Sequence, residues 1–407
     1  MKILHTADWH IGKVLHKQPL RDELVLFFDR LIDLIALEEI DLLLVSGDIF
    51  DLANPSVKDR KLYYQFLTSL IKLDIQVIIT GGNHDAVGLL NAPQTILSEL
   101  NITVIGGAEE NLEDELVRIK NKKGEIELIV AAVPFLRDKD LRSKEIDSIY
   151  PNRTEAIRAG VKQHYADLAT ICEEQYKNIP VIAMGHLYAK GVSTSESERD
   201  IHIGNAAAVD SSIFSKTYDY VALGHIHRPQ IVDKNPNIRY SGSPIALSFS
   251  EKSDNKSLVI VELENGELGE PKVVPIPKFR ALTKFSGDLE STKETLRKYK
   301  PDFPLQSFVE LEVQEDVYNA VTLAEVDELV AKHSEGYPFL ILKARTTFKD
   351  KAVDTSALFE EGEHIEDLKA IDVFQKMMTH QQISEEQQSV LKEAFEEIMI
   401  MVNESEA

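Results

Sequence analysis

Five of the 12 histidines in this 407-residue chain sit in short strings that also carry Gly, Asp or Asn. Those strings, with one Gly-Asp pair, are Asp8-Trp9-His10, Gly47-Asp48, Gly81-Gly82-Asn83-His84-Asp85, Gly185-His186 and Gly224-His225-Ile226-His227. Carboxylates, imidazoles and one amide oxygen make a mixed nitrogen and oxygen donor set, which suits Mn²⁺, Fe²⁺ or Zn²⁺. The thiolates of a structural zinc site are missing, because Cys172 is the only cysteine, and a lone thiol can form no internal disulfide. The Asp-x-His and His-x-His spacings predict that both side chains of each pair leave one face of an extended segment. Glycine ahead of a ligand lets the backbone turn sharply and approach an ion closely. Two ions about 3.5–4 Å apart can clamp a phosphoryl oxygen, hold a hydroxide nucleophile and stabilise a leaving oxygen. Taken singly, a Gly-Asp or Gly-His pair reads as a turn. Five such strings in order need a common explanation.

The elements that must position them are legible as apolar runs. Residues 3–7, 42–46, 77–80, 181–184 and 220–223 read as strands, and each string lies at or just after the end of one. Helical patterns over 20–37 and 57–73 alternate with the first three strands, predicting β-α-β units and a largely parallel sheet. A hairpin with its turn at Lys122-Lys123-Gly124, a long helix near 154–176, a strand at 238–241 and a hairpin through Asn265-Gly266 follow. In open α/β sheets the side chains at carboxyl strand ends converge on one crevice. A single polar cluster is therefore expected. His5, His16, His164, His202, His333, His364 and His380 lack that context and read as core or surface residues.

Length predicts two or three domains. A first domain over 1–277 ends where Pro271, Pro275 and Pro277 punctuate an exit. A small α+β module over 278–350 has expected strands at 308–313 and 339–344 and helices near 289–299 and 322–333. Residues 351–407 read as an acidic linker and a helical tail. The hydrophobic fraction of 43% and charged fraction of 28% are those of a globular chain. No window is apolar enough for a membrane span, and Asp8 interrupts any secretory core, so a cytoplasmic location is expected. The net charge of −23 argues against a nucleic-acid partner. However, the segment 350–407 carries 15 acids against 4 bases, about half of that excess. Charge alone excludes nothing at the polar cluster.

The order of these strings resembles the calcineurin-like metallophosphoesterase superfamily. The longer strings Ile3-Leu4-His5-Thr6-Ala7-Asp8-Trp9-His10-Ile11-Gly12, Gly224-His225-Ile226-His227-Arg228 and Tyr240-Ser241-Gly242-Ser243-Pro244 resemble its SbcD-type nuclease subunits. That resemblance implies a four-layer α/β/β/α domain followed by a DNA-capping domain and C-terminal helices. It implies that Asp8, His10 and His227 hold one metal and Asn83, His186 and His225 another, with Asp48 bridging two divalent ions, expected to be Mn²⁺. It assigns His84 as the catalytic histidine and Asp85 as the group that orients it and keeps it protonated. DNA becomes the expected substrate, cut as a duplex exonuclease and a single-strand or hairpin endonuclease. A phosphomonoesterase or cyclic-nucleotide phosphodiesterase on the same fold, or a non-enzymatic scaffold, are the competing classes.

Candidate phosphate contacts are Lys13, Arg137, Lys139 and Arg142; the interleaved Asp138, Asp140 and Glu145 give the last three an alternative reading as a solvated loop. Ser243 reads as a turn residue. The resemblance also implies an SbcC-type coiled-coil ATPase partner and a homodimer within a heterotetramer. No Gly-x-x-x-x-Gly-Lys-Ser/Thr string occurs, so the chain supplies no P-loop of that type. The expected docking surface is the tail, with one stripe of Leu368, Ile371, Phe374, Met377 and Met378 and another of Leu391, Phe395, Ile398, Met399 and Val402. Ser384 with Gln387 reads as a capping box opening the second helix. The alternative is that both helices pack on the capping domain.

Overall fold

The computed structural model describes residues 1–349 apart from 122, 142–148, 150–151, 200, 202–207 and 333–336, and beyond them only Ile371, Phe374, Met378, Leu391, Lys392, Ala394 and Phe395. Two compact units emerge: Met1–Lys284 with Lys300–Glu310 and His333–Lys343, and Phe285–Tyr299 with Leu311–Lys332 and Ala344–Ala407.

Two sheets face each other in the first unit. In one, Lys2–Thr6, Leu42–Ser46, Gln76–Thr80 and Ile102–Ile105 run parallel in that order, and Ser257–Glu264 lies antiparallel beside Lys2–Thr6. In the other, Ile126–Ala132, Val181–His186, Tyr220–Gly224 and Asn235–Tyr240 are parallel neighbours, with Leu116–Lys120 antiparallel at one edge and Gln230–Val232 at the other. Because the central strands are buried on both faces, they read as continuous apolar runs rather than alternating ones.

Alternate residues nevertheless enter different layers. Ile3, Leu42, Leu44 and Ile78 meet Val130, Ile182, Met184 and Ala222 between the sheets. Leu4, Leu43, Val45 and Ile79 face the other way, packing with Phe27, Leu31 and Phe66 of the helices Arg21–Glu38 and Val57–Leu70. Ala183, Val221 and Leu223 pack with Ile157, Val161 and Leu168 of the helix Arg153–Gln175. The result is helix, sheet, sheet, helix. Each fully buried Leu, Ile or Phe in these layers contributes about 1.5–3 kcal/mol.

Several boundaries follow from local chemistry. Ser56 and Asp59 close a capping box on Val57–Leu70, which ends at Leu70 and tightens into a 3₁₀ turn, Ile71–Leu73. Asn265 and Gly266, both with positive φ, join Ser257–Glu264 to Glu267–Leu268 as a two-residue hairpin turn. His5 is fully buried between the sheets, its Nδ1 2.9 Å from Tyr220 Oη, and burial pushes its pKa down to about 3. It is a core residue.

A three-stranded sheet has the order Leu282–Gly287, Ser307–Glu315, Phe339–Phe348; its first strand is not evident in the sequence. In the second unit Leu289, Val313 and Val326 form a core with Ala344 beside it, and Asp288 caps the helix Leu289–Lys298 through the Ser291 amide. Arg142, Ser384 and Gln387, and most of both tail stripes lie outside the described residues; of those stripes, Phe374 and Phe395 stack with centroids 4.3 Å apart. Among the described residues, no helix is long and apolar enough to cross a membrane.

Candidate metal centre

The parallel strands of both sheets deliver their carboxyl ends to one place. Asp8, Asp48, Asn83 and His84 follow strands of the first sheet; His186, His225 and His227 end or follow strands of the second. The pairs do not leave extended segments, as their spacing predicts. Asp8, His10, Asp48 and His225 all have positive φ, between 46° and 98°. A non-glycine residue in that region is strained and is held there by its surroundings. Side chains from crowded loops converge because the backbone coils back on itself. Trp9 anchors one such loop by pointing away from the cluster, edge-to-face with Phe28 and Phe66 at 5.0 and 5.3 Å and donating from Nε1 to Thr6.

Glycine is required where loops cross. A Cβ on Gly82 would lie 2.1 Å from Asp48 Oδ1, and one on Gly47 would lie 2.2 Å from His186 Nδ1.

Three overlapping groups of donors come together: Asp8, His10 and His227; His10, Asp48 and His84; Asp48, His186 and His225. His10 Nε2 is 3.0 Å from His227 Nε2 and 3.5 Å from Asp48 Oδ2. His186 Nε2 is 3.0 Å from Asn83 Oδ1 and 3.4 Å from the same Asp48 oxygen. Ligand bonds of about 2.1 Å place neighbouring donors roughly 3.0–3.4 Å apart, so these separations fit donors sharing an ion. Asp48 Oδ2 is the atom common to both sides. Asp8 Oδ2 and His225 Nε2 are buried without a hydrogen-bond partner, a state that costs free energy unless something else satisfies them. The donor set therefore fits divalent cations.

Hydrogen bonds fix which imidazole nitrogen faces the cluster. A carbonyl oxygen only accepts, so His186 Nδ1–H donates to Ser46 O at 3.0 Å and His84 Nδ1–H to Asp51 O at 2.7 Å. At His227 the partner is Ser197 Oγ, 2.5 Å from Nδ1. Ser197 in turn bonds the Glu251 carboxylate, which only accepts, so the serine proton goes to Glu251 and Nδ1 is the donor. Nε2 of all three rings therefore faces the centre, the orientation metal ligation needs at His186 and His227.

Charge without ions is divided unevenly. Burial alone would raise Asp48, but His186, His10 and His84 outweigh it and hold the carboxyl well below its usual range. Burial pushes Asp8 up to about 7. His186 is lowered by burial but raised more by Asp48, reaching about 9, while burial and His186 drive His225 well down. Bound dications would favour ionised carboxylates and neutral imidazoles throughout.

Asp85 does not orient His84. Its carboxylate accepts from the amides of Ile49, Phe50 and Gly82 at 2.9–3.0 Å, tying three loop segments together. Burial lowers the His84 pKa to about 4 despite Asp48 nearby. The carboxylate is consumed by backbone donors before it can reach the ring. Of the candidate phosphate contacts, Lys13 pairs with Asp51 at 3.2 Å, Arg137 donates from Nη2 to Asp85 O at 3.1 Å, and Lys139 lies exposed 4.0 Å from Asp140.

Several contributors are not apparent in the sequence. Asp51, three residues beyond Asp48, lies 3.3 Å from His10 Nδ1 outside hydrogen-bond geometry. Glu251 is nearly fully buried; burial alone would raise it, but His227 and Lys256 hold it far below its usual range. Lys256 Nζ bridges Glu251 at 2.6 Å, His227 O at 2.8 Å and Ser243 Oγ at 2.9 Å. Ser243 is thus a structural hub beside the cluster. The only sequence signal was its place in Tyr240-Ser241-Gly242-Ser243-Pro244.

The model of the calcineurin-like phosphoesterase family matches residues 1–229. The SbcD component of the nuclease SbcCD from Escherichia coli (strain K12) is 29% identical over 402 residues, covering 97% of both chains. Its namesake in Rhodobacter capsulatus is 36% identical over 289 residues, 68% of this chain and 70% of the relative. That of Staphylococcus epidermidis is 28% identical over 401 residues, 96% and 97% of the two chains. Likeness of this extent reaches well past the phosphoesterase region: the chain belongs to the calcineurin-like phosphoesterase family and, within it, to the SbcD-type nuclease subunits.

Proposed function

We propose that this chain is the nuclease subunit of an SbcCD-type complex and hydrolyses DNA phosphodiester bonds in the processing of DNA ends. The observation that carries this is the donor cage around Asp48 Oδ2, with Asp8 Oδ2 and His225 Nε2 buried and unpartnered beside it. Asp8, His10 and His227 would hold one divalent ion and Asn83, His186 and His225 the other, with Asp48 available to both sides. Mn²⁺ suits this mixed donor set. When bound, such ions supply Lewis acidity toward a phosphoryl oxygen and ease deprotonation of a water.

The chain's own groups do the rest. The Ser46 and Asp51 carbonyls and Ser197 hold three rings with Nε2 inward. His84 Nε2 lies 3.9 Å from Asp48 Oδ2, so a phosphate drawn to the ions would come within its reach, and the negative charge of that phosphate would favour a proton on the ring. His84 can then stabilise the transition state or protonate the leaving oxygen. Asp85 maintains the loops through backbone amides.

The partner in this reading is an SbcC-type coiled-coil ATPase, which supplies the missing P-loop. A homodimer within a heterotetramer and a cytoplasmic location complete it. The test is digestion of end-labelled duplex and hairpin DNA in Mn²⁺, with and without the ATPase and ATP, beside 4-nitrophenyl phosphate. Cleavage of both DNAs that EDTA abolishes is expected. Efficient turnover of 4-nitrophenyl phosphate with no DNA cleavage would favour a phosphomonoesterase instead. Truncation after Asp350 is expected to preserve Mn²⁺-dependent cleavage and to abolish co-purification with the ATPase. Retained co-purification would move the docking surface elsewhere.

A further inference from the structure

One loop is fastened directly to a metal-ligand candidate and ends in an exposed cation. Glu198 Oε1 accepts the His227 amide at 2.9 Å, and its Oε2 accepts the Ser195 amide at 2.7 Å. Ser197 Oγ accepts a hydrogen bond from His227 Nδ1–H at 2.5 Å and donates to Glu251. Ser195 Oγ also reaches Glu251, at 3.1 Å, and Glu251 is neutralised by Lys256. These bonds hold residues 195–198 rigidly against the cage. Arg199 is the next residue. It is exposed, and among the described residues no carboxylate pairs with it. Because Glu198 bonds the His227 amide directly, Arg199 follows one residue beyond a contact with the cage.

Other cations around the centre are already engaged. Lys13 pairs with Asp51, Arg137 with the Asp85 carbonyl, Arg228 with Asp254 and Lys256 with Glu251. In a chain of net charge −23, an exposed arginine at the rim of an anion-cleaving site stands out. His84 is 3% exposed whereas Arg199 is exposed, so the loop 195–199 runs from the buried centre out to solvent. A guanidinium matches two phosphate oxygens with parallel donors.

We propose that Arg199 binds a backbone phosphate flanking the scissile one, so that the loop 195–199 is a clamp selecting polynucleotides over isolated phosphate esters. This deepens the nuclease reading and rests on it. The full-length chain would be compared with Arg199→Ala and Arg199→Lys. The readouts are fluorescence anisotropy of a labelled duplex across a NaCl series without added metal, and steady-state hydrolysis of DNA and of bis(4-nitrophenyl) phosphate in Mn²⁺.

Arg199→Ala is expected to weaken duplex binding about fivefold to tenfold and to flatten the salt slope by about one ion, while Arg199→Lys retains the slope. KM for DNA should rise by that factor beyond any change with bis(4-nitrophenyl) phosphate, which has no flanking phosphate. Unchanged affinity and slope would overturn the assignment, as would equal losses on both substrates. Failure of the wild-type chain to cut DNA while hydrolysing bis(4-nitrophenyl) phosphate would overturn the nuclease reading and the clamp with it. Normal wild-type DNA cleavage with an unaffected Arg199→Ala would remove the clamp alone.

Discussion

His84→Ala is expected to bind both ions and to lose turnover by about 10²–10⁴. The two effects separate because different atoms of residue 84 serve them. Asp48 Oδ1 is held by the backbone N–H of residue 84 at 2.9 Å, a bond that alanine keeps. The ring is farther away: its Nε2 is 3.9 Å from Asp48 Oδ2, against 3.5 and 3.4 Å for His10 and His186. Its Nδ1–H is spent on Asp51 O, which leaves Nε2 as the only atom able to exchange a proton at the centre. Removing the ring therefore removes a proton carrier and leaves the cage. Metal analysis beside DNA cleavage reads both halves. An active His84→Ala enzyme would end the catalytic assignment, and a metal-free one would make His84 a ligand.

The second large effect is on Asp48. Asp48→Ala is expected to lose both ions together, with cleavage falling to the level of the EDTA-treated wild type. One oxygen serves both sides of the cage, so no half of it survives intact. The same carboxylate is the counter-charge that raises His186 to about 9 against the pull of burial. Without it, imidazoles crowd the cavity with one fewer anion among them. Thermal unfolding with and without Mn²⁺ gives a measure independent of catalysis. A ligand at 100 times its dissociation constant stabilises the folded state by about 2.7 kcal/mol. Wild type should gain that stability and Asp48→Ala should gain none. Loss of one ion with retention of the other would show that Asp48 belongs to a single site.

These expectations rest on features of unequal visibility in the chain. The strands around the centre were readable because buried parallel strands are local apolar runs, as at 42–46 and 181–184, whereas their order within each sheet was not. Residue types named the chemistry: Asp, Asn and His after glycine leave few alternatives to divalent cations. The turn through Gly124 and the Asn265-Gly266 hairpin were equally local. The strand Leu282–Gly287 was not, since Thr283, Lys284 and Ser286 interrupt any apolar pattern.

The roles inside the centre depended on distance along the chain. Asp8 Oδ1 accepts the His225 amide across 217 residues, and Ser46 O accepts from His186 across 140. No window of sequence contains either pair. The family resemblance made Asp85 the partner of the adjacent His84; the fold turned its carboxylate onto three amides instead. Glu251, Lys256, Ser197 and Glu198 carry no motif at all, and became His227's support only when two loops met. Sequence by itself determined which donors exist and that strands present them, because residue identity and burial periodicity are local properties. Tertiary structure alone decided which atoms face inward and which charges are already spent, because each hydrogen bond is settled by groups that only folding brings into reach.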